Sequence, residues 1–135
     1  MRNKGALAIA VGFFVFWLAV LYAGADHPPP PGFVLLVLLV AVAAALVYVR
    51  TPTYVDWAAT RRAGRLWRVL GEGFAVGVLF GVAPVLLPGG GEPSVAPGWG
   101  AYLLWFLVLG GVGVANAVLV YACSALLASI LKRRP

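Results

Sequence analysis

Two strongly polar side chains, Glu72 and Asn116, stand alone within long apolar stretches of this 135-residue sequence. A carboxylate or an amide surrounded by hydrocarbon is costly, so such groups are candidate sites for a proton, a cation or a ligand. Each also has a structural interpretation. Glu72 follows Arg68 by one helical turn and can form an interfacial ion pair with it. Asn116 can donate to a backbone carbonyl of a neighbouring helix.

A cluster of arginines precedes Glu72 and consists of Arg61, Arg62, Arg65 and Arg68. At about 100° per residue, Arg61, Arg65 and Arg68 fall on one side of a helix and apolar side chains on another, with Arg62 at the border. The pattern predicts an amphipathic interfacial helix over residues 53–68, started by a capping box of Thr53 and Asp56. The cluster either contacts anionic lipid or an acidic partner, or only fixes orientation during membrane insertion.

Small residues repeat every four positions after this cluster. Gly73, Gly77 and Gly81 form one stripe, and Gly113 and Ala117 form a second, shorter one. Such spacing lets another helix approach closely and gain packing contacts. The partner helix is either an internal neighbour or part of a second subunit.

Composition excludes several classes of protein. The chain is 63% hydrophobic and only 10% charged, which leaves too few charges to cover a soluble domain. Its net charge of +6 comes from residues at the ends of apolar runs, which indicates membrane topology and not nucleic-acid binding. The sequence lacks a nucleophile–base pair, a phosphate-binding loop and a set of metal ligands. We therefore expect no enzyme activity, no cofactor and no metal.

The elements that must position these residues are four apolar helices. The predicted spans are residues 5–24, 33–49, 69–87 and 102–131. About 20 residues cross the hydrocarbon core, and the short connections make two antiparallel hairpins. The sequence thus predicts an all-α integral membrane protein, with residues 1–135 forming a single four-span membrane domain.

The cations give the orientation. They lie in residues 2–4, 50–68 and 132–134. The connections between spans one and two and between spans three and four contain no lysine or arginine. The positive-inside rule then places both termini and the middle segment in the cytoplasm, in what we expect is a bacterial plasma membrane. One alternative is that residues 23–25, Ala-Gly-Ala, end a cleaved signal peptide, which would leave three spans.

Two functions from different classes fit this pattern. The leading hypothesis is a protein that acts through helix–helix association, as an accessory or assembly subunit or a self-associating scaffold. Its partners are then the lipid bilayer and either another membrane protein or a second copy. The alternative is a small homo-oligomeric transporter or channel, with Glu72 and Asn116 near the pathway.

Overall fold

The computed structural model describes residues 2–30, 32–60, 64–86 and 98–133. Within these ranges the chain contains helices and no strands. The helices are α1 (Arg2–Gly24), α2 (Phe33–Thr60), α3 (Gly64–Leu86) and α4 (Trp99–Arg133). All of them are long and apolar enough to cross a membrane. The prediction of four long apolar helices is confirmed.

The main difference from the sequence prediction lies in the middle of the chain. Span two was expected to end at residue 49, yet α2 continues to Thr60 with Pro52 inside it. Residues 53–60 therefore extend α2, residues 64–68 begin α3, and residues 61–63 lie outside the described ranges. A separate interfacial helix over 53–68 is not found in the described residues. The predicted capping box is wrong, because Thr53 lies inside a helix and not at its start.

Pro52 weakens α2 locally without ending it. Proline lacks the N–H that would bond the carbonyl of Tyr48, so the helix loses a hydrogen bond at that turn. In the adjacent position, the Thr51 hydroxyl donates to the Val47 carbonyl oxygen over 2.7 Å. Thr51 is fully buried, so this bond is shielded from water. The bond involves the carbonyl one residue before that of Tyr48, so it adds a hydrogen bond beside the disrupted turn and does not replace the missing one.

The chain forms two compact units. Unit 1 comprises residues 1–62 and 120–135, and unit 2 comprises residues 63–119. In unit 1, α1 and α2 are packed neighbours, and Arg2 Nη1 lies 3.3 Å from Asp56 Oδ1. This ion pair joins the start of α1 to the end of α2, so the two helices run antiparallel.

The last part of α4 completes unit 1. A Cβ atom on Gly5 would lie 2.5 Å from a methyl carbon of Leu127, so the first turns of α1 touch α4 closely. The rings of Tyr54 on α2 and Tyr121 on α4 meet edge to face at 5.9 Å. Residues from all three helices therefore contact one another in unit 1.

Large apolar side chains cover the outside of every helix. Val15 on α1 is 57% exposed, Val34 on α2 64%, Leu79 on α3 66% and Leu107 on α4 64%. The buried apolar side chains among the described residues are small by comparison, and most are alanine or valine. A surface of this kind needs an apolar environment, which lipid or other helices supply.

Candidate helix-packing and polar site

The glycine stripe of α3 packs against α4 inside unit 2. A Cβ atom on Gly73 would lie 2.5 Å from the Cβ of Ala117, and one on Gly77 would lie 2.7 Å from the Cα of Gly113. A Cβ on Gly81 would overlap the side chain of Leu109. The contacts therefore pair residue 73 with 117, 77 with 113 and 81 with 109, so residue numbers rise along α3 as they fall along α4. The two helices are antiparallel neighbours along this stripe.

The contact is equally close from the side of α4. A Cβ on Gly113 would overlap the carbonyl oxygen of Gly73 and lie 2.6 Å from the Cα of Gly77. The obstacles are backbone atoms, which cannot rotate away as a side chain can. The predicted packing residues Gly73, Gly77, Gly81, Gly113 and Ala117 therefore share one interface, and that interface is internal to the chain.

One contact in this interface was missed by sequence reasoning. A Cβ on Gly110 would overlap the ring of Phe74, so the ring lies directly against the backbone of α4. Phe74 is an apolar residue in an apolar helix, and no feature of the sequence distinguished it from its neighbours.

Glu72 and Asn116 occupy matching positions beside this interface. Each immediately precedes one member of the Gly73–Ala117 contact, so the two lie at the same level of the α3–α4 pair. In two antiparallel right-handed helices, the residues that precede a facing contact are turned to the same side of the pair. Both residues are partly buried. The sequence treated them as separate candidates, and the fold places them at one level of the α3–α4 pair.

The amide of Asn116 is engaged within its own helix. Its Nδ2 donates to the carbonyl oxygen of Val112 over 2.9 Å. This bond engages the amide nitrogen with a carbonyl one turn earlier in the same helix. A carboxylate beside such an amide has the chemistry of a proton or monovalent-cation site.

The predicted arginine cluster is only partly within the described residues. Arg61 and Arg62 lie outside them, whereas Arg65 and Arg68 belong to the first turns of α3. Arg68 is exposed and Arg65 is partly buried. These two side chains therefore begin a long apolar helix and do not belong to a separate surface helix.

Metal ligands and reactive side chains are the remaining kinds of candidate site. The described part of the chain contains no group of three or more His, Cys, Asp or Glu residues placed to hold a metal ion. Cys123 is a partly buried free thiol, and the neighbouring Ser124 hydroxyl donates to the carbonyl of Val120 over 2.7 Å. The serine is thus engaged in its own helix.

A second class of glycine faces open space. A Cβ added to Gly12 in α1 or to Gly111 in α4 would meet no described atom within 4 Å. Both lie well inside their helices, and their outer faces carry the exposed residues Ala8 and Ala115 one turn away. These positions form small-residue faces that no described part of the chain covers.

Comparison with protein-family models, curated proteins and solved structures gave no match to this chain.

Proposed function

We propose that the chain is an integral membrane protein that acts through helix–helix association, as an accessory or assembly subunit or a self-associating scaffold. Four apolar helices with exposed apolar side chains support the membrane assignment. The distribution of cations supports cytoplasmic termini and a cytoplasmic middle segment. The proposed working surfaces are the outer faces of the helices.

The observation that carries the association proposal is the pair of open glycines, Gly12 and Gly111. A glycine inside a helix lowers stability by about 1 kcal/mol relative to alanine. A neighbouring helix that packs against the glycine backbone can offset this loss. The glycines of the α3 stripe are used by α4. At Gly12 and Gly111 no described atom approaches, so a helix from another molecule is the natural partner.

The first experiment is affinity purification of the tagged protein in mild detergent, followed by mass spectrometry and measurement of complex mass. A stoichiometric membrane protein in the eluate would support the accessory-subunit form of the proposal. A defined homo-oligomer would support the scaffold form. A monodisperse monomer without a retained partner would count against both forms.

A small homo-oligomeric transporter or channel is the second candidate, and one observation favours it. Glu72 and Asn116 lie at one level and on one side of the α3–α4 pair, where a route between subunits could run. The sequence alone gave no reason to expect this pairing.

For this candidate, Glu72→Gln is expected to abolish proton- or cation-coupled flux into liposomes, because it removes the negative charge of the carboxylate while keeping the shape of the side chain. Asp26→Asn is the matched control, since Asp26 is an exposed carboxylate beyond the end of α1. Full flux through Glu72→Gln, or equal loss in both variants, would remove Glu72 from any transport mechanism. Absence of flux in the unmodified protein would reject the candidate.

A further inference from the structure

Unit 1 gathers cations from three separate parts of the sequence. The Arg2–Asp56 ion pair fixes the start of α1 beside the end of α2, and the Gly5–Leu127 contact fixes it beside α4. Lys132 and Arg133 follow Leu127 within two turns, which places them within about 9 Å of that contact along the helix. We call Arg2, Lys4, Arg50, Lys132 and Arg133 the cationic end.

The charge of this end is strongly unbalanced. Its five described cations face one described carboxylate, Asp56. The other described acid of unit 1, Asp26, lies beyond the opposite end of α1, about 34 Å away along the helix. Lys4, Lys132 and Arg133 are exposed, and both members of the Arg2–Asp56 pair are more than half exposed. This end therefore attracts anions.

Aromatic rings lie among the cations. The Arg50 guanidinium carbon is 5.8 Å from the centroid of the Tyr54 ring and 5.7 Å from that of Trp57. Tyr54 in turn meets Tyr121 of α4. Tyrosine and tryptophan favour the headgroup level of a bilayer, and an arginine held against ring faces has less rotational freedom to lose on binding an anion.

The flanks of the same helices are apolar. Leu7 is 55% exposed, Val49 66% and Leu126 65%, each within two turns of a member of the cationic end. A soluble acidic protein or a nucleic acid would contact the cations but would have no acyl chains to cover the apolar flanks. A phospholipid presents a phosphate to the cations and acyl chains to the apolar flanks, so it matches both surfaces at once.

We propose that the cationic end binds the phosphate headgroups of anionic phospholipids, with acyl chains lying along the exposed apolar flanks of α1, α2 and α4. This site differs from the arginine cluster suggested by the sequence, which continues into α3. It does not depend on helix–helix association, because it uses residues of a single chain.

The test is competitive quenching of tryptophan fluorescence in the full-length protein by brominated phosphatidylglycerol and brominated phosphatidylcholine in neutral micelles. We expect a preference for phosphatidylglycerol that weakens as salt is raised. Each cation near an anionic surface contributes about 1 kcal/mol, or about fivefold in affinity. The triple variant Lys4→Gln, Lys132→Gln, Arg133→Gln should therefore lose most of the preference, on the order of 100-fold.

The control is the double variant Arg65→Gln, Arg68→Gln, which removes cations from α3 in unit 2 and should keep most of the preference. Circular dichroism and gel filtration verify that each variant is folded. Equal affinity of the unmodified protein for both lipids, or an unaltered preference in the folded triple variant, would overturn the proposal. A loss in the control as large as in the triple variant would overturn the assignment to unit 1. Displacement of phosphatidylglycerol by inorganic phosphate alone would overturn the lipid assignment.

Discussion

Gly113→Ala is expected to destabilise the protein by about 3 kcal/mol, whereas Gly111→Ala should leave it as stable or up to about 1 kcal/mol more stable. A methyl group on Gly113 would overlap the backbone of Gly73 and Gly77, and the helices must separate to admit it. Separation breaks contacts along the whole stripe. A methyl group on Gly111 meets no described atom within 4 Å, so only the gain in helix propensity remains.

The two substitutions form a matched pair, because they lie two positions apart in one helix and change the same atoms. The measurement is the free energy of unfolding, obtained by titrating the protein from mild detergent into dodecyl sulfate while recording helix content. Gly77→Ala, which also meets backbone atoms, should behave like Gly113→Ala. Equal stability of Gly111→Ala and Gly113→Ala would show that the α3–α4 stripe does not hold unit 2 together.

Gly111→Leu and Gly12→Leu are expected to reduce association about tenfold or more while the single chain remains folded. A leucine on either face fills the space that a partner helix would use, and overpacking of a helix contact costs about 1–3 kcal/mol. By contrast, Gly77→Leu should disrupt the fold itself, since Gly77 is already covered by Leu109 and Gly113. Loss of complexes in a Gly77 variant alone would therefore not demonstrate an interface between molecules.

Complex mass in mild detergent and the yield of co-purified partner are the measurements for the two open positions. Gly100→Leu is the control, because Gly100 also faces open space but lies in the first turn of α4. The association proposal requires that at least one of Gly12→Leu and Gly111→Leu shifts the assembly and retains native helix content. Unchanged assembly in both would oppose association through these faces.

The sequence predicted the helices well because long apolar runs and their flanking cations are local features. Its error in the middle of the chain came from local rules too. Pro52 and the Thr53–Asp56 spacing both favour a new helix, but the Thr51 hydroxyl lies beside the turn that proline disrupts and α2 continues. The rule that proline ends a helix does not account for a long apolar helix that tolerates the loss of one hydrogen bond.

The partners of the glycines could not be predicted from spacing. Gly77 and Gly111 each belong to small-residue patterns of the same period, yet one is covered by α4 and the other is open. Which face of a helix meets which neighbour depends on rotation about the helix axis, and a sequence of uniformly apolar residues does not encode that rotation clearly. For the same reason, the sequence did not predict that Glu72 and Asn116 lie at one level of the α3–α4 pair.

The contact between Gly5 and Leu127 has a consequence for biosynthesis. Because translation proceeds from the N-terminus, α1 and α2 emerge long before the segment of α4 that completes unit 1. The first helix must therefore wait with its face at Gly5 uncovered until the segment of α4 that contains Leu127 has been made. During that interval the nascent chain offers a temporary docking face, and a stop codon that removes only the end of α4 would leave that face permanently exposed.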